Sequence, residues 1–142
     1  MNLFNIFGNT FIRKEEQILN IKFFICNHCG NVIAMIKDQG VPIKCCGENM
    51  QEITAGASEG AKEKHSPVYN ISGETITVSV GETEHPMTDE HYIDWVCIET
   101  EDGFQLKKLT PGVSPHLSFS ISKGDKVKAV YAFCNQHSLW KA

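Results

Sequence analysis

Four of the six cysteines fall within 21 residues, as Cys26-x-x-Cys29-Gly30 and Cys45-Cys46-Gly47. The surrounding pattern is that of a minimal β unit. Residues 21–26 and 32–37 read as short strands flanking Asn27-His28-Cys29-Gly30, and Asp38-Gln39-Gly40-Val41-Pro42 reads as a turn. So few and such short strands bury too little apolar surface to be stable alone, and a metal staple would supply what the core lacks. Cysteines this close suit a shared metal better than disulfides, and four thiolates in a tetrahedron suit zinc or iron. Each pair precedes a glycine, where the missing Cβ lets the backbone turn sharply and bring an N–H near a sulfur. The adjacent pair is the unusual half. Consecutive strand side chains point to opposite faces, so Cys45 and Cys46 reach one metal only through a turn that distorts the tetrahedron. A zinc ribbon would instead use two Cys-x-x-Cys knuckles. Cys26, Cys29, Cys45 and Cys46 are thus the candidate ligands of a first site, and His28 is read as an exposed turn residue.

The wider composition narrows the class. Of 142 residues, 42% are hydrophobic and 21% charged, which excludes collagenous, low-complexity and disordered chains. A net charge of -4 offers no overall attraction to nucleic acid or an anionic membrane, and neither is expected as a partner. Residues 1–20 have no basic residue before Arg13, no unbroken apolar run and no small-x-small cleavage site, so no secretory signal is expected. No stretch reaches membrane-spanning length. With closely paired thiols, this predicts a cytoplasmic protein. Phe4, Phe7 and Phe11 recur at helical spacing, so residues 1–20 read as an extension with a short amphipathic turn, packed on the body or on a second subunit. Residues 54–64 are small and polar, a linker or mobile loop.

From residue 65 onward the pattern is all β. Ile76, Val78 and Val80 alternate with Thr75, Thr77 and Ser79, and Leu117, Phe119 and Ile121 alternate with His116, Ser118 and Ser120. Val127, Ala129, Tyr131 and Phe133 form a further run. Turn signals at Ser72-Gly73, Gly81-Glu82, Asp102-Gly103, Pro111-Gly112 and Lys123-Gly124 separate the runs. Short strands at this spacing predict an antiparallel β-sandwich. The one helical hint is Thr88-Asp89-Glu90-His91, where Thr88 is placed to cap a turn.

The remaining soft ligands collect on this second region. Cys134-x-x-His137 leaves a strand, His85 precedes the stiffening Pro86, His91 falls in the capped turn, and His65 ends the linker. His116 alternates in phase with serines and is read as solvent-facing, and Cys97 sits among apolar strand residues as a buried small hydrophobe. A blue-copper site would need an axial Met, but none follows His137, and there are two histidines too many. A cupin would pair histidines as His-x-His, which His85 and His91 do not.

Taken together, these motifs resemble the desulfoferrodoxin family, the two-iron superoxide reductases. The resemblance covers roughly residues 22–142. Beyond both cysteine pairs it rests on Glu63-Lys64-His65-x-Pro67, His85-Pro86-Met87, Glu90-His91-Tyr92-Ile93-x-Trp95 and Cys134-Asn135-x-His137-x-x-Trp140-Lys141. It implies an all-β chain: a desulforedoxin-like Fe(Cys)₄ domain over residues 21–53, a loop over 54–64, and an immunoglobulin-like sandwich over 65–142. It further implies a second iron with His65, His85, His91 and His137 as equatorial ligands and Cys134 as the axial one, making two irons per chain. Glu63 and Lys64 match the family's catalytic loop pair beside the open sixth position. The implied reaction is one-electron reduction of superoxide to hydrogen peroxide, without dioxygen as a product. The implied partners are superoxide, a rubredoxin-like electron donor and a second copy of the chain. The chain departs from the family in residues 57–62, which lack the usual acidic-polar signature, and at Ser138, where glycine is customary. An alternative, a non-catalytic iron electron carrier, needs no open coordination position and no use for Lys64.

Overall fold

The computed structural model describes residues 21–142, so the extension expected over residues 1–20 lies outside the described residues. The chain divides into two units, Met1–Ile53 and Thr54–Ala142.

In the first unit, β1 (Lys22–Ile25) is the central strand. It pairs antiparallel with β2 (Val32–Met35) on one side and with β5 (Gln51–Glu52) on the other. β3 (Lys44–Cys45) and β4 (Glu48–Asn49) form a separate hairpin. Both strands flanking the first knuckle end earlier than the sequence pattern suggests. Apolar burial here is slight: Phe23, Cys26 and Met50 are the buried hydrophobic residues among those described.

Two turns set the cysteines. Between β1 and β2 the Gly30 N–H donates to Cys26 O at 2.9 Å and the Cys26 N–H donates to Asn31 O at 2.9 Å, which folds the knuckle tightly. In the β3–β4 hairpin the two loop residues, Cys46 and Gly47, have φ of 52° and 80°. Two successive left-handed residues make the hairpin turn whose twist matches the strands it joins. That turn resolves the problem of adjacent cysteines: Cys45 ends a strand, while Cys46 swings out in a conformation that a residue with a Cβ seldom adopts.

The second unit is a sandwich. One sheet has the order β10 (His116–Ser120), β7 (Thr75–Val80), β6 (Pro67–Ser72). The other has the order β12 (Ser138–Lys141), β11 (Val127–Cys134), β8 (Ile93–Thr100), β9 (Phe104–Lys108). Every pairing is antiparallel. Ile76, Val78, Val80 and Phe119 from the first sheet and Val96, Ile98, Val130 and Ala132 from the second close one buried core. The three-plus-four antiparallel arrangement agrees with the immunoglobulin-like sandwich expected from sequence. Among the described residues no helix is long and apolar enough to cross a membrane.

Two local expectations change. The Thr88–His91 segment is a turn and not a helix: the Thr88 hydroxyl accepts the His91 N–H at 3.1 Å, and the Thr88 N–H donates to His91 O at 3.0 Å. Pairing the turn's two ends closes it on itself. Conversely, the segment read as a linker ends in a single helical turn, α1 (Lys62–His65). Earlier in that segment the Gly56 N–H donates to Leu139 O at 2.7 Å, so it is tied to the edge strand β12.

Candidate metal centres

The knuckle and the hairpin turn bring the sulfurs of Cys26, Cys29, Cys45 and Cys46 within 4.8 Å of one another. Cys29 Sγ and Cys45 Sγ stand 3.6 Å apart. Tetrahedral thiolates at metal–sulfur distances of about 2.3 Å would be separated by about 3.8 Å, so the quartet already has the spacing of a coordination shell. Its electrostatics point the same way. The N–H groups of Cys29 and His28 hold the Cys26 thiol down at about 6, while contact with Cys29 and burial push Cys46 up to about 12. Sulfurs this close resist ionising together unless a cation joins them. Asn31 Nδ2 lies 3.6 Å from Cys45 Sγ, a further donor to the cluster. The His28 side chain is exposed, and the residue meets the cluster through its backbone N–H.

The second cluster is assembled from three stretches far apart in sequence. α1 delivers His65, the β7–β8 connection delivers His85 and His91, and the β11–β12 hairpin delivers Cys134 and His137. The ring centroids of His65 and His85 are 4.7 Å apart, His85 and His91 4.6 Å, His91 and His137 5.0 Å, and His137 and His65 4.7 Å. The pair across this circuit, His65 and His91, is wider at 6.0 Å. Four imidazoles thus stand at the corners of a rough square. His137 Nδ1 lies 2.9 Å from His65 Nε2, 3.2 Å from His91 Nε2 and 3.7 Å from Cys134 Sγ. Right-angled ligands at metal–nitrogen distances of about 2.1 Å would stand about 3.0 Å apart. His65, His91, Cys134 and His137 keep their ligand atoms within 4.8 Å of one another, and His85, although at a corner of the square, falls outside that tighter group.

The buried histidines are pre-oriented. His65 Nδ1 is 2.7 Å from Ala61 O, and His85 Nδ1 is 2.7 Å from Pro86 O. A carbonyl can only accept, so each Nδ1 carries the proton and each Nε2 is left with a lone pair. His85 Nε2 is buried with no hydrogen-bond partner. A lone pair held there without a partner is costly, and a metal ion is the group that would take it. Burial drives the His85 pKa down to about 4 and lowers those of His65 and His91, so all three favour the neutral form that ligates. Cys134 is fully buried, which raises its thiol pKa, and the N–H groups of Gln136 and His137 work against that rise. The residues present therefore fit a bound metal.

Supporting groups surround this square. Trp140 stacks on His65 with centroids 5.0 Å apart and planes at 27°, and its Nε1–H donates to His137 O at 3.0 Å. The Ser58 hydroxyl donates to the same carbonyl. A Cβ added at Gly60 would meet Trp140 at 3.2 Å and His65 at 3.3 Å, so the loop passes close over both rings. Glu63 and Lys64 are exposed on α1 beside His65. Both charges act on His65, and that of Lys64 also acts on His91. His116 is exposed on β10, and Cys97 is fully buried in β8 outside both clusters. Sequence reasoning gave no role to Trp140, Ala61 or Ser58. Only the Trp140-Lys141 motif carried a trace of the first.

A family model described as Desulfoferrodoxin matches residues 57–142. The desulfoferrodoxin of Nitratidesulfovibrio vulgaris is 42% identical over 122 residues, covering 85% of this chain and 94% of the relative. That of Clostridium acetobutylicum is 37% identical over 124 residues, 87% of this chain and 96% of the relative. Among solved structures, the superoxide reductase from Treponema pallidum superposes with a TM-score of 0.74 at 36% identity, over 87% of this chain and 99% of that one. A β fold with two metal-binding clusters, one of four thiols and one of histidines with a thiol, stands beside matches that span both units, and the chain belongs to the desulfoferrodoxin family.

Proposed function

We propose that this chain is a superoxide reductase working at a non-haem iron centre, which His65, His85, His91 and His137 would hold through their imidazoles and Cys134 through its thiolate. The square of imidazoles above a buried thiol, with His85 Nε2 left unpartnered, carries this reading. Cys26, Cys29, Cys45 and Cys46 would hold a second iron. Iron bound in the His/Cys site would supply a one-electron reductant and a Lewis acid.

The protein's own groups do the rest. Burial favours the neutral form of His65, His85 and His91, so a bound cation would keep most of its charge and attract a small anion despite the chain's net charge of -4. Lys64 Nζ adds a positive charge at the mouth of the site, favouring capture and holding water from which protons are drawn. The Cys134 thiolate, stabilised by two backbone N–H groups, would hold the metal and donate electron density to it. Glu63, exposed beside His65 on the same helical turn, would offer a carboxylate to the oxidised metal. The balance is one superoxide, one electron and two protons to one hydrogen peroxide. The electron comes from outside the chain, which supports a small rubredoxin-like protein as donor, and pairing of two chains follows the family pattern.

The test is a reconstituted protein assayed under a superoxide flux. It should contain two irons per chain and form one peroxide per electron donated, with no dioxygen. Dioxygen release at half the superoxide consumed would mean dismutation, and no consumption would leave an electron carrier.

A further inference from the structure

The metal-facing rings are not all held in the same way. His65 and His85 each anchor their second ring nitrogen on a backbone carbonyl. Among the described residues, no protein group accepts from His91 Nδ1, and the ring is half-buried on a loop whose preceding residues, Thr88, Asp89 and Glu90, are exposed. What ties the backbone on either side of it to the thiolate strand is concentrated on one residue. Asn135 Oδ1 accepts the Tyr92 N–H at 2.9 Å, Asn135 Nδ2 donates to Glu90 O at 3.0 Å, and the Asn135 N–H donates to Tyr92 O at 3.1 Å. Gln136 Nε2 adds a second donor to Glu90 O at 2.7 Å. The residues on both sides of His91 are therefore gripped by the residue that follows Cys134.

We infer that Asn135 is a positioning residue: its amide clamps the 90–92 segment onto the Cys134–His137 turn and thereby sets the place of His91 in the metal site. The physical reason is economy of freedom. A ring whose second nitrogen has no acceptor to anchor it takes its place from its backbone. The 90–92 backbone is fixed to the very turn that carries two other ligands, so three ligands move as one body. Thr88 closes the loop on itself through His91, but ties it to nothing else. Only the Asn135 and Gln136 amides connect the loop to the thiolate strand by side chain. Groups that orient a ligand in this manner contribute about ten- to a hundredfold to metal affinity.

This inference rests on the reading of His91 as a ligand, and the test separates the two. In the full chain loaded with iron, the rate of metal release to a chelator is followed at both centres by their visible bands, with Asn135→Ala, Asn135→Asp and His91→Ala compared. Asn135→Ala should speed release from the His/Cys centre by about tenfold or more and shift its thiolate-to-iron band, leaving the four-cysteine centre as an unchanged internal reference. Asn135→Asp keeps the acceptor for the Tyr92 N–H and loses the donor to Glu90 O, so it should fall between wild type and Asn135→Ala. It also serves alone should Asn135→Ala not fold. His91→Ala should abolish or strongly shift the same band. If His91→Ala alters the centre while both Asn135 variants match the wild type in release rate and band position, the clamp is refuted. If His91→Ala changes nothing, the ligand reading has failed, and the clamp with it.

Discussion

Cys134 and Cys97 are both fully buried on strands of one sheet, and burial raises both thiols, but their other neighbours differ. Burial, and then the Glu99 carboxylate, push Cys97 up to about 12, whereas two backbone N–H groups counter the rise at Cys134. Cys134→Ser should therefore abolish the sulfur-to-iron band of the second centre together with most activity, with no compensation from Cys97. A visible spectrum of the loaded variant decides this, and a surviving band would point to Cys97. Glu63 and Lys64 are neighbours with separable effects. Lys64→Ala should lower the second-order rate with superoxide and flatten its dependence on salt, since it removes a charge that attracts an anion. Glu63→Ala should leave that rate nearly intact and shift the oxidised spectrum instead. Pulse radiolysis at two ionic strengths distinguishes them, and an unchanged rate for Lys64→Ala would overturn the assignment. The kinds of side chain needed for a metal were legible in the sequence because Cys and His are few and clustered. The carbonyls of Ala61 and Pro86, which fix the ring tautomers, were not, because any residue can supply a carbonyl.

The β11–β12 hairpin is the element that brings the second centre together. β11 carries a register irregularity between Phe133 and Cys134, just where it yields the thiolate, and irregularities of this kind re-aim a side chain at the end of a ladder. Ser138, paired with Cys134 across the turn, has a φ of 61°. That left-handed conformation explains why glycine is customary here, and it strains a residue with a Cβ. Ser138→Gly should raise stability by about 1 kcal/mol, read as a higher Tm for the metal-free protein, while leaving the spectrum of the loaded centre unchanged. A lower Tm would mean that the serine hydroxyl contributes more than the backbone strain costs. The alternating runs made β7 and β10 legible. β6 and β9 were not, because both are edge strands with almost every side chain exposed and so lack the in–out contrast on which alternation depends. α1 hid for another reason: a single turn is too short to show a helical period.

Over the whole chain, the two units hold their metals under different conditions. The first has only three buried hydrophobic side chains among its described residues, so its fold depends on its ligands, while the second closes a core of its own. Cys45→Ser should bleach the four-cysteine centre and collapse the amide shifts of residues 21–53, with those of 65–142 and the His/Cys band preserved. Loss of activity with an artificial donor would show that the two centres are not separable. The ligand spacings also carry a consequence in time. Cys29 and Cys45 meet across 16 residues, whereas His65 and His137 meet across 72. A short loop closes with less entropy to overcome, and the long one waits for both sheets to form. A reduced, unfolded chain given ferrous iron should therefore fill its cysteine site early and its histidine site late. During that interval the protein would already hold iron and still be unable to act on superoxide.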